Sequence, residues 1–366
     1  MIDQTTLQWL ILHLVPGIGG RRLTQFLTSF GSPSALPELT RADLQTLRWP
    51  VDVVDQLCRA VHNPWHELPE LKRIANWQAA DDHHVLTPSH PDYPWQLTTV
   101  LSDYPPVLYV QGHPQVLALP QLAVVGSRRP GSTSRQLTDD WCRRLAGQGV
   151  VITSGLAAGI DITAHLAALA VNGQTIAVMG SGFDHVYPKG HARHLDAIAA
   201  HGAVLTEHCP STPPAPGNFP RRNRIVAALS QAVLVVEAAV KSGSLITAKL
   251  AAEYGRDVLA VPGHPYYPNA QGCNQLLRDG AELASDWSDV SAHFGMIEAQ
   301  HEPVQQVLVS GLQSDLLALI GTEPTALETL SSELQKPLNE LYEALLDMEL
   351  SGLIQPQGGS YVRLVP

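Results

Sequence analysis

Five short stretches carry the side chains in this sequence that can do chemistry. Arg221, Arg222 and Arg224 fall within four positions of "NFPRRNRIVAAL" (218–229), directly after the proline-rich "CPSTPPAPG". "VVGSRRPGST" (124–133) supplies Gly126, Ser127 and Arg128, and "SGLAAGIDITAH" (154–165) supplies Ser154, Gly155 and Asp161. "GSGFDHVYPKGH" (180–191) supplies Lys189, and "AVKSGSLITA" (239–248) supplies Lys241, Ser242, Gly243 and Ser244. Glycine lets the backbone approach a ligand, the first amides of a helix are spare donors, and an arginine fork matches phosphate oxygens. The shared chemistry is anion binding, and Phe219 adds a ring on which a base can stack. Any one loop of this kind is weak evidence, and a charge run alone is as often a solvated turn.

Other chemistries lose support at the same residues. The first loop lacks G-x-G-x-x-G, and it keeps Gly126 and Gly131 of a Walker A loop with Ser132 where the lysine belongs. "VVITSG" ends in Ser154 and Gly155, with no acid to hold a ribose. Neither a nicotinamide-type cofactor nor ATP hydrolysis is expected. Cys58, Cys142, Cys209 and Cys273 are far apart, and none has a Cys or His at metal-ligand spacing. We therefore expect no cofactor, no metal and a reduced, cytosolic chain. His165 is read as a buried structural histidine and Asp161 as a helix cap.

The elements that position these loops repeat regularly. Apolar runs begin at Leu122, Val150, Thr175, Ala203, Ala232 and Asp257, separated by Ala/Leu-rich helical stretches. Runs this uniformly apolar suit strands covered on both faces, which predicts a doubly wound, mainly parallel α/β sheet. "PVLYVQG" is expected at its margin. Loops that all follow strands converge on the carboxyl edge, where such sheets bind ligands. The helix after the arginines is expected to start at Asn223. Residues 1–84 read as a helical domain in which "LVPGIGGRRLTQFLTSFG" has the form of a helix-hairpin-helix turn, read first as a plain helix-helix turn and second as one whose amides hold a phosphate. Residues 296–311 read as a linker, and 312–366 as a winged helix with its wing turn at Gly358-Gly359.

The net charge is -11, unevenly spread: 14 basic against 13 acidic residues over 122–290, but 2 against 10 over 291–366. The middle of the chain can thus present a positive surface. The presumed recognition helix of the winged domain carries Glu340, Glu343, Asp347 and Glu349 against Lys336, and repels phosphate. The N-terminal apolar run is short and preceded by Asp3, so neither a signal peptide nor a membrane span is expected.

"AVVGSR", "SGLAAGID", "GFDHVYPKGH", "NFPRRNR", "VVEAAVKSGSLITAKLAAEYGRDVLAVPG" and "GCNQLLRDGAEL" resemble, in order and spacing, the DNA-processing protein A (DprA, or Smf) family. The close resemblance covers about residues 85–290. It implies a Rossmann-like domain over 85–295, flanked by a SAM- or helix-hairpin-helix-like domain and the winged helix. It implies a cytosolic, non-enzymatic protein that binds single-stranded DNA, protects it in natural transformation and loads the RecA recombinase. It also implies a homodimer, for which the apolar Leu276, Leu277 and Leu283 are the candidate surface. One departure is His191 in "YPKGH", where the family pattern has Asn. Of the residues named, Gly126, Ser127, Arg128, Ser154, Gly155, Lys189, Phe219, Arg222, Asn223, Arg224, Lys241, Ser242, Gly243 and Ser244 are the expected DNA contacts. Two alternatives stay open: a nucleotide-sensing module, and a phosphoribohydrolase-like enzyme. The second is weakened because "KSGSLITAK" lacks the Glu that follows the Thr in "PGGxGTxxE" loops.

Overall fold

The computed structural model describes residues 2–295, 311–321, 324–350 and 353–363. Nine strands form one sheet: β1 (His83–Leu86), β2 (Leu108–Gly112), β3 (Gln121–Val125), β4 (Val151–Ser154), β5 (Thr175–Val178), β6 (Ala203–Thr206), β7 (Ala232–Val235), β8 (Asp257–Ala260) and β9 (Glu282–Leu283). Their order is β1-β2-β6-β5-β4-β3-β7-β8-β9. All the strands from β3 to β9 pair in parallel, while β2 is antiparallel to both β1 and β6. The chain moves outward from β3 to β6, then returns to place β7 beside β3. That reversal opens a crevice at the carboxyl ends of β3, β4 and β7. The six expected strands are all present. "PVLYVQG" lies one strand in from the edge, because β1 pairs outside it.

Alternation along each strand splits the core. Leu122, Val124, Ile152 and Leu234 pack under the helices Ser132–Gly147 and Ile160–Ala170. Ala123, Val125, Val151 and Val235 face the opposite layer, with the helices Asn218–Leu229 and Ser244–Glu253. Burial on both faces explains why these strands read as continuous apolar runs rather than alternating ones.

The N-terminal helices Gln4–Leu14, Gly20–Phe30 and Val51–His62 build their own core from Trp9, Leu12, Phe26 and Leu57, closed against Val85 and Tyr109 of the sheet. Asp3 caps the first helix, accepting from Thr6 N at 2.9 Å. Gly17, at φ +89°, makes the turn into the second helix.

The C-terminal residues form a separate compact unit, a winged helix. Three helices, Gly311–Leu319, Leu327–Leu334 and Leu338–Leu350, accompany the strands β10 (Thr325–Ala326), β11 (Ile354–Gln357) and β12 (Ser360–Arg363). Leu316, Leu330, Leu341 and Leu345 fill its core. Gly358 and Gly359 both have positive φ and close the two-residue wing turn. Glu340, Glu343, Asp347 and Glu349 are all exposed. The expected linker at 296–311 lies, except for Gly311, outside the described residues. Among the described residues, no helix is long and apolar enough to cross a membrane.

Candidate nucleic-acid interface

The arginine run sits inside a helix rather than before one. The helix Asn218–Leu229 starts five residues earlier than expected, with Gly217 at its N-cap. Pro220 falls in the first turn, where its missing N–H costs nothing. Starting at Asn218 fixes the side-chain directions. Arg221 and Arg224, three apart, share one face, and Arg222 turns toward another.

That rotation separates the arginines by role. Arg222 is buried among the strand ends, 5% exposed. Its Nη1 donates to the carbonyls of Gly155 and Val178, and its Nε donates to Asn223 Oδ1 at 3.1 Å. Its Nη2 makes no hydrogen bond among the described residues. A Cβ on Gly155 would collide with that nitrogen, so glycine is what admits the guanidinium. Burial pulls the Arg222 pKa down to about 10; Asp161 acts upward and Arg128 downward. It remains a cation at neutral pH.

Arg224 stands apart from the expected contacts that line the crevice. It is 6% exposed and pairs with Glu207 at 2.6 Å and with Asp103 at 3.6 Å, on the far side of the helix from the crevice. Its Nη2 locks the end of β6, while its buried Nε and Nη1 make no hydrogen bond among the described residues. Arg221, half exposed, adds a contact to Glu207 at 3.3 Å. Burial raises the Glu207 pKa, opposed first by Arg224 and then by Arg221.

A cavity of about 560 Å³ opens at the strand ends. Of the fourteen expected contacts it brings together Gly126, Arg128, Gly155, Phe219, Arg222, Asn223, Ser242, Gly243 and Ser244. A side pocket of about 90 Å³ continues beneath Tyr187 and Pro188. The exposed Arg128 makes no ion pair among the described residues, so two cations face one space. Phe219 packs over Gly180, and its ring centroid lies 5.3 Å from that of Tyr187. Tyr187, which the sequence reading did not single out, supplies a second, half-exposed ring at the mouth. The apolar Ile246 and Val226 complete the wall.

The other expected contacts lie off the cavity wall. Ser154 is fully buried and donates to Val124 O at 2.6 Å, holding β4 to β3. Ser127 turns inward, accepting from Arg129 N at 3.1 Å, and its carbonyl receives Ile160 N at 3.1 Å. Lys189 and Lys241 are exposed, two residues from Tyr187 and one from Ser242. They stand next in the chain to lining residues without lining the cavity themselves.

Asp161 holds the loop before its helix instead of capping the helix. Its carboxylate accepts from Gly155 N at 3.1 Å and Ala157 N at 3.3 Å. Burial raises its pKa, and Arg222 opposes that rise. His165 is fully buried against Thr175, with Nδ1 2.7 Å from the hydroxyl. Burial drops its pKa to about 3, so it is neutral and structural. His191 places Nδ1 2.9 Å from Leu156 O, which fixes the loop where the family pattern has Asn. The metal-like trio Asp257, Glu282 and His293 stands at the β8–β9 edge, away from these residues.

A mainly parallel sheet whose switch-point crevice is lined by cations, glycines and aromatic rings defines a Rossmann-like protein with a candidate anion site. Comparison narrows the class. The family described as DNA recombination-mediator protein A matches residues 84–295, and the DprA winged helix domain matches 300–360. Protein Smf of Escherichia coli (strain K12) is 40% identical over 297 residues, covering 79% of each chain. The solved DNA processing protein A of Streptococcus pneumoniae is 33% identical, with a TM-score of 0.66, over 78% of this chain and 97% of that one. The protein of the same name from Helicobacter pylori, solved to describe its single-stranded DNA binding mode, is also 33% identical. Its TM-score is 0.53, over 58% of this chain and 95% of its own. The chain belongs to the DNA recombination-mediator protein A family.

Proposed function

We propose that this protein binds single-stranded DNA in the strand-end crevice, protects it during natural transformation and loads the RecA recombinase onto it, without chemistry on the DNA. The observation that carries the reading is Arg222. It is a cation held at the floor of the cavity by two carbonyls, with one terminal nitrogen left over and Arg128 beside it. Asp161 offsets one positive charge, and Arg222 with Arg128 still leaves the cavity a net cation with a spare donor for an anion. The rings of Phe219 and Tyr187 suit unpaired bases, and nothing in a stacking-plus-phosphate site demands a particular sequence. The Helicobacter pylori relative, described by its single-stranded DNA binding, supports the choice of ligand.

The protein is read as a cytosolic homodimer. Leu276 and Leu277 pack in part against the sheet core, which leaves Leu283 as the candidate contact. It is 54% exposed on β9, the terminal strand of the sheet, whose outer edge is unpaired. The test of the reading is a mobility shift on labelled oligonucleotides of unrelated sequence, with mononucleotide hydrolysis assayed alongside. Comparable affinity for each oligonucleotide and no hydrolysis support it. Binding of mononucleotides alone, or turnover, would replace it with one of the two alternatives.

A further inference from the structure

Away from the crevice, a second cavity of about 580 Å³ opens on the N-terminal helical domain. Gly17, Gly19 and Gly20 of the hairpin form one wall, and Arg21, Arg22, Arg48 and Trp49 form the others. No acidic side chain lines it, although residues 1–121 carry 11 acidic residues against 7 basic ones. Arg21 and Arg48 are exposed and make no ion pair among the described residues. Arg22 donates to the Gly17 carbonyl and braces the turn. The floor is fixed: Trp49 Nε1 donates to Gln25 Oε1 at 2.8 Å, and Gln25 Nε2 donates to Leu47 O at 2.9 Å. Three arginines line one concave space in an otherwise acidic domain, and water screens the exposed Arg21 and Arg48 only in part, so an anion between them is favoured.

The surroundings connect this space to the crevice. Gly20 packs against Asp103, and Thr24 Oγ1 reaches Ser102 O at 3.5 Å. Asp103 pairs with Arg224 of the helix Asn218–Leu229, the same helix that carries Phe219 and Arg222 into the crevice. That pair partly neutralises the Asp103 carboxylate beside the hairpin. The half-exposed Arg221 of this helix pairs with Glu207.

We propose that the hairpin cavity is a second phosphate site, which grips the backbone of the same single strand beyond the segment held in the crevice. Arg21 and Arg48 supply the charge, and the spare amides at the start of the helix Gly20–Phe30 face the same oxygens. The inference rests on the crevice reading for its ligand, and the two are tested by different oligonucleotides.

The experiment compares wild type, Arg21→Ala/Arg48→Ala, Arg21→Lys/Arg48→Lys and Arg222→Lys on a 6-nucleotide oligo-dT, a 30-nucleotide oligo-dT and a 30-base-pair duplex. Circular dichroism first establishes that each variant is folded. The double alanine variant should bind the 6-mer as wild type does. It should bind the 30-mer at least tenfold more weakly, with the log-log salt slope reduced by about 1.4, two contacts at about 0.7 each. The lysine pair should regain most of the slope, because the slope counts charge. Unchanged affinity and slope on the 30-mer would overturn the site, and a loss confined to the duplex would overturn the assignment to a single strand. Loss of 6-mer binding in the double alanine variant would equally overturn a separate site. Retained 6-mer affinity in Arg222→Lys would instead count against the crevice, while the 30-mer result still decides the hairpin. A wild type that binds neither oligonucleotide overturns both.

Discussion

Arg222 gives the sharpest quantitative expectation. A guanidinium has five N–H groups. Here Nε serves Asn223, Nη1 serves Gly155 and Val178, and Nη2 is left for the ligand. One terminal nitrogen supports one phosphate contact. A hydrogen bond to a charged group is worth about 1.5–3 kcal/mol, or about 10- to 100-fold in affinity. Lysine keeps the charge, but its ammonium is drawn to the two carbonyls and cannot reproduce the fork. Arg222→Lys should therefore weaken binding about tenfold at a nearly unchanged salt slope. Arg222→Ala should weaken binding further and flatten the slope by about 0.7. It should also cost about 3 kcal/mol of stability, because two buried carbonyls lose their donor and Asp161 loses its counter-charge. The assay is fluorescence anisotropy with a labelled oligonucleotide at several salt concentrations, with thermal melts run in parallel. The reasoning fails if Arg222→Ala remains folded and keeps both its affinity and its slope.

Further outcomes follow from other parts of the molecule. Leu283→Lys places a charge on the exposed edge strand and should shift sedimentation from dimer to monomer, with weaker DNA binding through lost bivalency; a wild type already monomeric at micromolar concentration contradicts this. Removing residues 305–366 takes away eight acidic and two basic side chains, and should leave single-strand affinity unchanged or slightly raised; a severe loss in a folded truncation refutes it. Stability should fall as pH drops from about 6.5 toward 4. Burial depresses the pKa of His13 to about 4 and of His165 to about 3, so the unfolded chain takes up protons that the folded one refuses. These two groups give a slope of at most about 2.7 kcal/mol per pH unit. The raised pKa values of Asp161 and Glu207 offset part of it. Urea melts at pH 7, 6 and 5 with no decline would show that the two histidines are not buried neutral.

The sheet was legible because strands covered on both faces need unbroken apolar runs, and six such runs occur between helical stretches. β1 was not: "HHVL" has only two apolar residues and gains its place by pairing with β2. β9 escaped notice because a two-residue edge strand leaves no pattern. The site was legible as loops because several Gly-, Ser- and basic-residue loops all follow strands of one sheet and so share its carboxyl edge. Side-chain direction was not. Asn223 looks like a helix cap, and that reading hid the true start at Asn218 and the burial of Arg224. Glu207, which claims Arg224, comes from a strand end with no local signal linking it to a residue seventeen positions on. Tyr187 carries no spacing signal of its own, and only the fold brings its ring beside Phe219.

The most direct measurement is a structure of the full chain with a bound oligo-dT. The account predicts a phosphate oxygen within hydrogen-bond distance of Arg222 Nη2, the backbone of Gly243 and Ser244 around the same group, and a base against Phe219 or Tyr187. DNA bound elsewhere on the chain, with the crevice between β3, β4 and β7 left open, would contradict it.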